Sequence, residues 1–208
     1  MRAGFSLAEI DAQCRKAVRG AGCPWGLAEE AGKAARWLSE RGLPGAEAMA
    51  GLLSTPRACP CGGGTGPACA LRVGAALSDR AHQIAAGETA EEEVTQPLIV
   101  LAMLGRSAEA IGASFAVEWE SVRAVCAPQG LALDAQGALL TARATIRATP
   151  SLARFDSGGP LNARCDAASR GVAPESWAIL ENHAFRTYVP ESDSSRAAGA
   201  GAGETDND

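Results

Sequence analysis

Two histidines, one tyrosine, four tryptophans and four phenylalanines are few for a chain of 208 residues. Scarce histidines leave few seats for general-base chemistry or for a histidine-rich metal centre. Scarce aromatics leave few platforms on which nucleic-acid bases stack. Positive charge is short as well: 19 Lys and Arg stand against 24 Asp and Glu, a formal charge of -5. Nucleic acid and anionic membranes both call for a concentrated positive surface, so neither is an expected partner. Nor is there a long hydrophobic run. The most apolar stretch, Pro97 to Leu104, is far shorter than the roughly 20 residues that span a bilayer. The opening MRAGFSLAEIDAQ lacks the apolar segment and small-residue cleavage pattern of a secretory leader. Seven cysteines, an odd number at irregular spacing, do not form a secreted disulfide framework. Together these absences describe a cytoplasmic protein with reduced thiols.

What is present supports a folded body. Hydrophobic residues make up 47% and charged residues 21% of the chain, the balance of an ordinary globular protein. With few rings, its core must come from small aliphatic side chains, and tight helix contacts matter accordingly. The pattern predicts an α+β fold in which an N-terminal helical hairpin packs on a mainly antiparallel sheet, followed by a C-terminal helix. A single domain is expected over residues 1–191. It comprises a helical hairpin at 6–42, a Cys/Gly-rich loop at 54–69, a sheet region at 70–148 and a C-terminal helix at 174–189. A flexible Gly/Ala and acidic tail follows at 192–208, in which Glu204, Asp206 and Asp208 carry much of the net charge.

Ser6 and Glu9 form a capping box that starts the first helix, and Leu7, Ile10, Cys14, Ala17 and Val18 recur on one of its faces. Gly20 and Gly22 end it; Pro24 opens a second helix with Leu27, Ala31, Ala34 and Leu38 inward, closed by Gly42. A third short helix is expected near Ala46 to Leu53. Beyond the loop, Leu71, Val73, Ala75 and Leu77 alternate as a strand does, and Ser78 is placed to cap a brief helix through Ala86. The run LIVLAML fits either strand or helix, and its Ile99, Val100 and leading Pro97 favour a strand. Phe115, Val117 and Trp119 alternate with Ala116, Glu118 and Glu120, a strand with one buried face. Leu140, Ala142, Ala144 and Ile146 do the same, and the DAQG turn at Asp134 to Gly137 joins that strand to Leu131 and Leu133 as a hairpin. Pro174 opens the last helix, with Trp177, Leu180, Ala184 and Tyr188 inward.

Candidate chemistry is sparse. Glu29, Lys33, Arg36 and Glu40 form a solvated helix face, while Glu30 lies between that face and the apolar stripe, beside Trp37. Glu30 is either a boundary carboxylate held by Arg41 or water, or a functional acid. Trp37 is either packed between the helical pair and the sheet or part of a partner site. Arg143 and Arg147 share the polar face of one strand, with Arg123 close if its strand pairs nearby; three guanidiniums cradle a carboxylate or phosphate, or form a solvated sheet face. Cys59, Cys61 and Cys69 crowd one loop, but a single residue between the first two is too short for a zinc knuckle, so no metal is expected. His82 lies in an uncertain segment, and His183 falls on the outer face of its helix beside Ile179 and Arg186. There is no G-x-S-x-G, phosphate loop or dinucleotide fingerprint, so no cofactor is expected and the catalytic residues are unknown.

At RGAG, WGLAEEAG and RWL (Arg19 to Gly22, Trp25 to Gly32, Arg36 to Leu38) the chain resembles an uncharacterised family of bacterial proteins known as a domain of unknown function. The likeness runs on through RVGAALSDR (Arg72 to Arg80) to the closing AGAG and DND, and implies no activity. The first 45 residues are also similar to the opening of the malate and L-lactate dehydrogenase family, which binds NAD without a Rossmann fold. Those enzymes follow this RG with an SHG that supplies an active-site histidine; here Arg41 and Gly42 lead into LPGAE, and the histidine is missing. The expectation is a non-catalytic binding or accessory protein of small-molecule metabolism, taking a protein partner or a small anionic metabolite. The alternative is a small enzyme of unrecognised type, a diverged relative of those dehydrogenases, with Glu30, His82 or a loop cysteine as acid or base.

Overall fold

A computed structural model describes residues 3–55, 68–135, 139–152 and 171–188. The fold is α+β. Helices α1 (Leu7–Gly20), α2 (Trp25–Glu40) and α3 (Gly45–Ser54) come first, then α4 (Ala70–Asp79) and α5 (Ala81–Ala85). Strand β2 (Ala90–Thr95) leads into α6 (Pro97–Ile111), followed by β3 (Phe115–Trp119), β4 (Val122–Ala127), β5 (Gly130–Ala135) and β6 (Arg143–Pro150). A two-residue strand β1 (Ala3–Gly4) pairs with β7 (Gly171–Val172), just ahead of α7 (Pro174–Phe185). The other five strands form one antiparallel sheet in the order β2-β6-β3-β4-β5. No described helix is long and apolar enough to cross a membrane.

The N-terminal hairpin forms as its sequence pattern requires. Ser6 Oγ accepts from the Glu9 amide at 3.2 Å while Glu9 returns a carboxylate to the Ser6 amide at 2.7 Å. Gly22 takes a positive φ of 95° in the turn that follows α1, a conformation that costs glycine nothing. The segment before α1 and the start of α7 are both tied to this layer. Phe5 stacks on Trp177 of α7 with ring centroids 3.6 Å apart, and the buried Glu47 of α3 accepts from the Ala173 amide at the start of α7. A carboxylate there complements both the free amides and the positive end of the helix dipole.

Helix α6 is the largest departure from the expected strand at LIVLAML. From Pro97 to Gly105 it is buried on every face, because a helix apolar all round has nowhere else to go. Pro97 sits in its first turn and Gly112, at φ 70°, caps its end, so the proline that favoured a strand marks a helix start. The helix stands between the two layers, against α2, α3, α4 and α5 on one side and β3, β4, β5 and β6 on the other. The hairpin α1–α2 therefore meets the sheet chiefly through α6.

Three further expectations change. Leu71, Val73, Ala75 and Leu77 belong to α4, not to a strand, and Ser78 lies inside that helix. Alternation there coincides with a helical stripe of Ala70, Leu71, Gly74 and Leu77, and the Ala-rich composition favours the helix. The hairpin expected between Leu131–Leu133 and Leu140–Ile146 does not form: β5 pairs with β4, while β6 pairs with β2 and β3 at the other side of the sheet. Alternation fixes which face a strand buries, not which strand it pairs with. Finally, Tyr188 lies past the end of α7 and is exposed, leaving Leu180 and Ala184 as that helix's buried residues. Cys59, Cys61 and the tail 192–208 lie outside the described residues.

Trp37 is buried, but against α6 rather than the sheet. Its six-membered ring lies on Gly105, where a Cβ would fall well inside van der Waals contact with the ring. Trp37→Ala is expected to cost roughly 3–5 kcal/mol by leaving a ring-sized cavity, and Gly105→Ala roughly 1–3 kcal/mol by overpacking the same joint. Urea denaturation midpoints equal to wild type would show that α2 and α6 meet without this contact.

Candidate functional site

Glu30 and Trp37 both lie in the α2–α6 joint. Glu30 is half-buried and accepts from Arg106 of α6 and, at 2.9 Å, from Lys33; neither Arg41 nor solvent alone holds it. Trp37 Nε1 donates to Glu109 at 2.8 Å, Arg41 donates to the same carboxylate oxygen at 2.6 Å, and the Arg41 guanidinium lies 3.8 Å from the Trp37 ring centre. The polar atoms of both residues are thus engaged within the fold.

Arg143, Arg147 and Arg123 come together on the outer face of the sheet, each beside a carboxylate. Arg143 reaches Glu93 at 2.6 Å, Arg147 reaches Glu91 at 2.7 Å, and Arg123 lies 3.8 Å from Glu118. Strand register explains the order: Glu91, Arg147, Glu118, Arg123 and Asp134 stand opposite one another across all five strands. Alternating charges on neighbouring strands stabilise each other by about 0.2–1 kcal/mol per pair. The face therefore presents mixed charge in place of a concentrated cationic cradle.

Of the loop cysteines, Cys69 is described and is buried, as are Cys14, Cys23 and Cys126. Burial pushes the Cys126 thiol up to about 12 and raises Cys14 as well, so neither is a nucleophile at neutral pH. Among the described residues no three His, Cys, Asp or Glu side chains gather as a metal site. His82 is exposed on α5. His183 is half-buried rather than on the surface: its Nδ1 is buried without a hydrogen-bond partner, and burial followed by the Arg186 charge lowers its pKa. Its carbonyl lies against Gly20 of α1, where no Cβ would fit.

That α1–α7 contact assembles a surface that individual motifs did not reveal. Trp25, Phe185 and Tyr188 are 60%, 73% and 58% exposed, three of the chain's nine aromatic rings. Cations join them into one strip. The Arg19 guanidinium lies 5.1 Å from the Trp25 ring centre; Lys16, one turn earlier on α1, lies 5.7 Å from the Tyr188 ring; and Phe185 meets Tyr188 edge-on at 6.1 Å. Among the described residues Lys16, Arg19 and Arg186 have no carboxylate partner, in contrast to the arginines of the sheet face and of the α2–α6 joint. The sequence signal was the exposure of rings in a ring-poor chain, and it was hidden because Tyr188 falls on the inward spacing of α7.

The Glu30 pair has a pH signature. Burial raises its carboxyl pKa, but hydrogen bonds and charge from Arg106 and Lys33 outweigh this and hold it below the ordinary value of 4.5. Folding then favours the carboxylate, so this stabilisation is present above pH 4.5 and is lost as pH falls through the folded-state pKa. Wild-type stability is expected to fall between about pH 5 and 3 more steeply than that of Glu30→Gln. Equal slopes in denaturant titrations would mean that the pair contributes nothing.

No curated protein and no solved structure matches this chain. A family model does, over a stretch that takes in the α1–α2 hairpin, RVGAALSDR and β2 and ends ahead of the closing AGAG and DND. Residues 5–94, fewer than half of the chain, match the model of a family described as a protein of unknown function (DUF3726).

Proposed function

We propose that this is a non-catalytic bacterial binding protein, an accessory of small-molecule metabolism, that docks a protein partner through its helical hairpin and α7. The observation that carries the reading is the continuous strip of Trp25, Arg19, Lys16, Tyr188 and Phe185. Exposed rings interleaved with arginine are what the centres of protein interfaces are enriched in, and contiguous exposed apolar surface marks interaction sites. A small anionic metabolite on Arg123, Arg143 and Arg147 would have to displace the carboxylates already beside them; among the described residues the strip has no such competition. A reducing cytoplasmic setting is supported by the buried, free thiols of Cys14 and Cys126.

The test is affinity purification of the full chain from its native host, with the captured protein identified and its stoichiometry measured. Trp25→Ala and Phe185→Ala are expected to leave stability within about 0.5 kcal/mol of wild type, as exposed positions do, while removing the partner. Arg143→Ala with Arg147→Ala is expected to retain it. A partner held equally by all variants would place docking elsewhere. Turnover of a host metabolite that is abolished by Glu30→Gln or His82→Ala would replace the binding reading with the enzyme one.

A further inference from the structure

We infer that the strip recognises an acidic segment of its partner, one carrying carboxylates interleaved with large apolar side chains; this rests on the docking reading above. Two observations point to that chemistry. First, Lys16, Arg19 and Arg186 at this end lack carboxylate partners among the described residues, although the protein as a whole has an excess of acid. Elsewhere Lys33, Arg41, Arg106, Arg143 and Arg147 each hold a carboxylate within 3 Å. Uncompensated positive charge in a net-negative molecule is complementary to an acidic ligand and repels basic ones. Secondly, charge and rings alternate along the strip rather than occupying separate zones. A partner must therefore offer carboxylates and apolar groups at close intervals, as one face of an acidic amphipathic helix does.

An anionic membrane fits less well. Lys16 and Arg19 lie alongside the Tyr188 and Trp25 rings, whereas interfacial helices separate a wetted cationic face from an inserted apolar one. The formal charge of -5 also opposes approach to an anionic surface.

The probe is a synthetic 14-residue peptide with glutamate and leucine at helical spacing, titrated into the full chain and followed by fluorescence anisotropy, with a glutamine-for-glutamate copy as control. The acidic peptide is expected to bind at least ~10-fold more tightly than its neutral copy, with an advantage that shrinks as salt is raised. The Lys16→Glu, Arg186→Glu double variant changes two exposed side chains and should keep the wild-type melting curve. It is expected to lose that preference and to bind a lysine-for-glutamate peptide instead. Equal binding of acidic and neutral peptides, or no binding of the acidic one, overturns the inference. Stronger binding to phosphatidylserine vesicles than to the peptide overturns it in favour of a membrane. If ending the chain after Tyr188 raises peptide affinity ~10-fold or more, the chain's own acidic tail is the occupant and the inference of a partner's segment falls. The docking reading fails separately, if capture of the native partner is indifferent to Trp25→Ala and Phe185→Ala.

Discussion

Everything in this fold leans on a helix that water does not reach along its first nine residues. Helix α6 buries Pro97 to Gly105 completely, so its neighbours must cover it from all sides, and they do so as a helical layer and a sheet. Its packing is tuned by the absence of side-chain atoms. Gly105 admits the Trp37 ring, and Gly74 of α4 admits Met103, where a Cβ would collide with the sulfur. Close approach of this kind suits a chain whose core is mostly Ala, Leu and Val, since small residues gain dispersion energy only when backbones come near.

Polar chemistry begins where α6 leaves the core. Arg106 and Glu109, on the last turns, reach back to Glu30, Trp37 and Arg41 of α2. These contacts set the angle at which the hairpin sits over α6, and through α1 they set where α7 docks. Gly20 against the His183 carbonyl then brings the ends of α1 and α7 close enough for Lys16 to meet Tyr188. The exposed cation–aromatic strip is thus a consequence of packing some distance away.

Among the described residues two non-glycines adopt positive φ, Gln96 at 51° and Glu120 at 46°. Gln96 is buried at the start of α6, its amide against Gly51 of α3, and Glu120 turns the chain between β3 and β4. Such conformations persist only where their surroundings over-determine them. At Gln96 the constraint is visible: the Gln96 amide donates to the Ala142 carbonyl, and Thr95 donates to Ala68. The junction of β2 and α6 is pinned from both sides, which locks the central helix to the sheet's edge strand.

The sequence by itself determined the parts whose signals are local. The capping box at Ser6 and Glu9, the glycine stops and the 3.6-residue stripes defined the hairpin. Period-two alternation defined the buried face of β3 and, from Ala144 on, that of β6, whereas Leu140 and Ala142 lie ahead of the strand and are exposed; Pro174 marked the start of α7. These depend on hydrogen bonds and side-chain directions within a few residues. Tertiary structure decided the rest. An apolar run such as LIVLAML is equally compatible with strand and helix until its neighbours exist, because burial on all faces erases the amphipathic period that distinguishes them. Strand pairing was undecided for a related reason: alternation is the same whichever neighbour is chosen, and only the assembled sheet put Arg147 between Glu91 and Glu118. The candidate site was the least legible part. Glu30 and Trp37 were found as unusual residues, but that they serve the α2–α6 joint follows from partners 72 and 76 positions away. Lys16 and Tyr188 are 172 positions apart in sequence, and no local pattern encodes a contact that only the docking of the last helix on the first brings about.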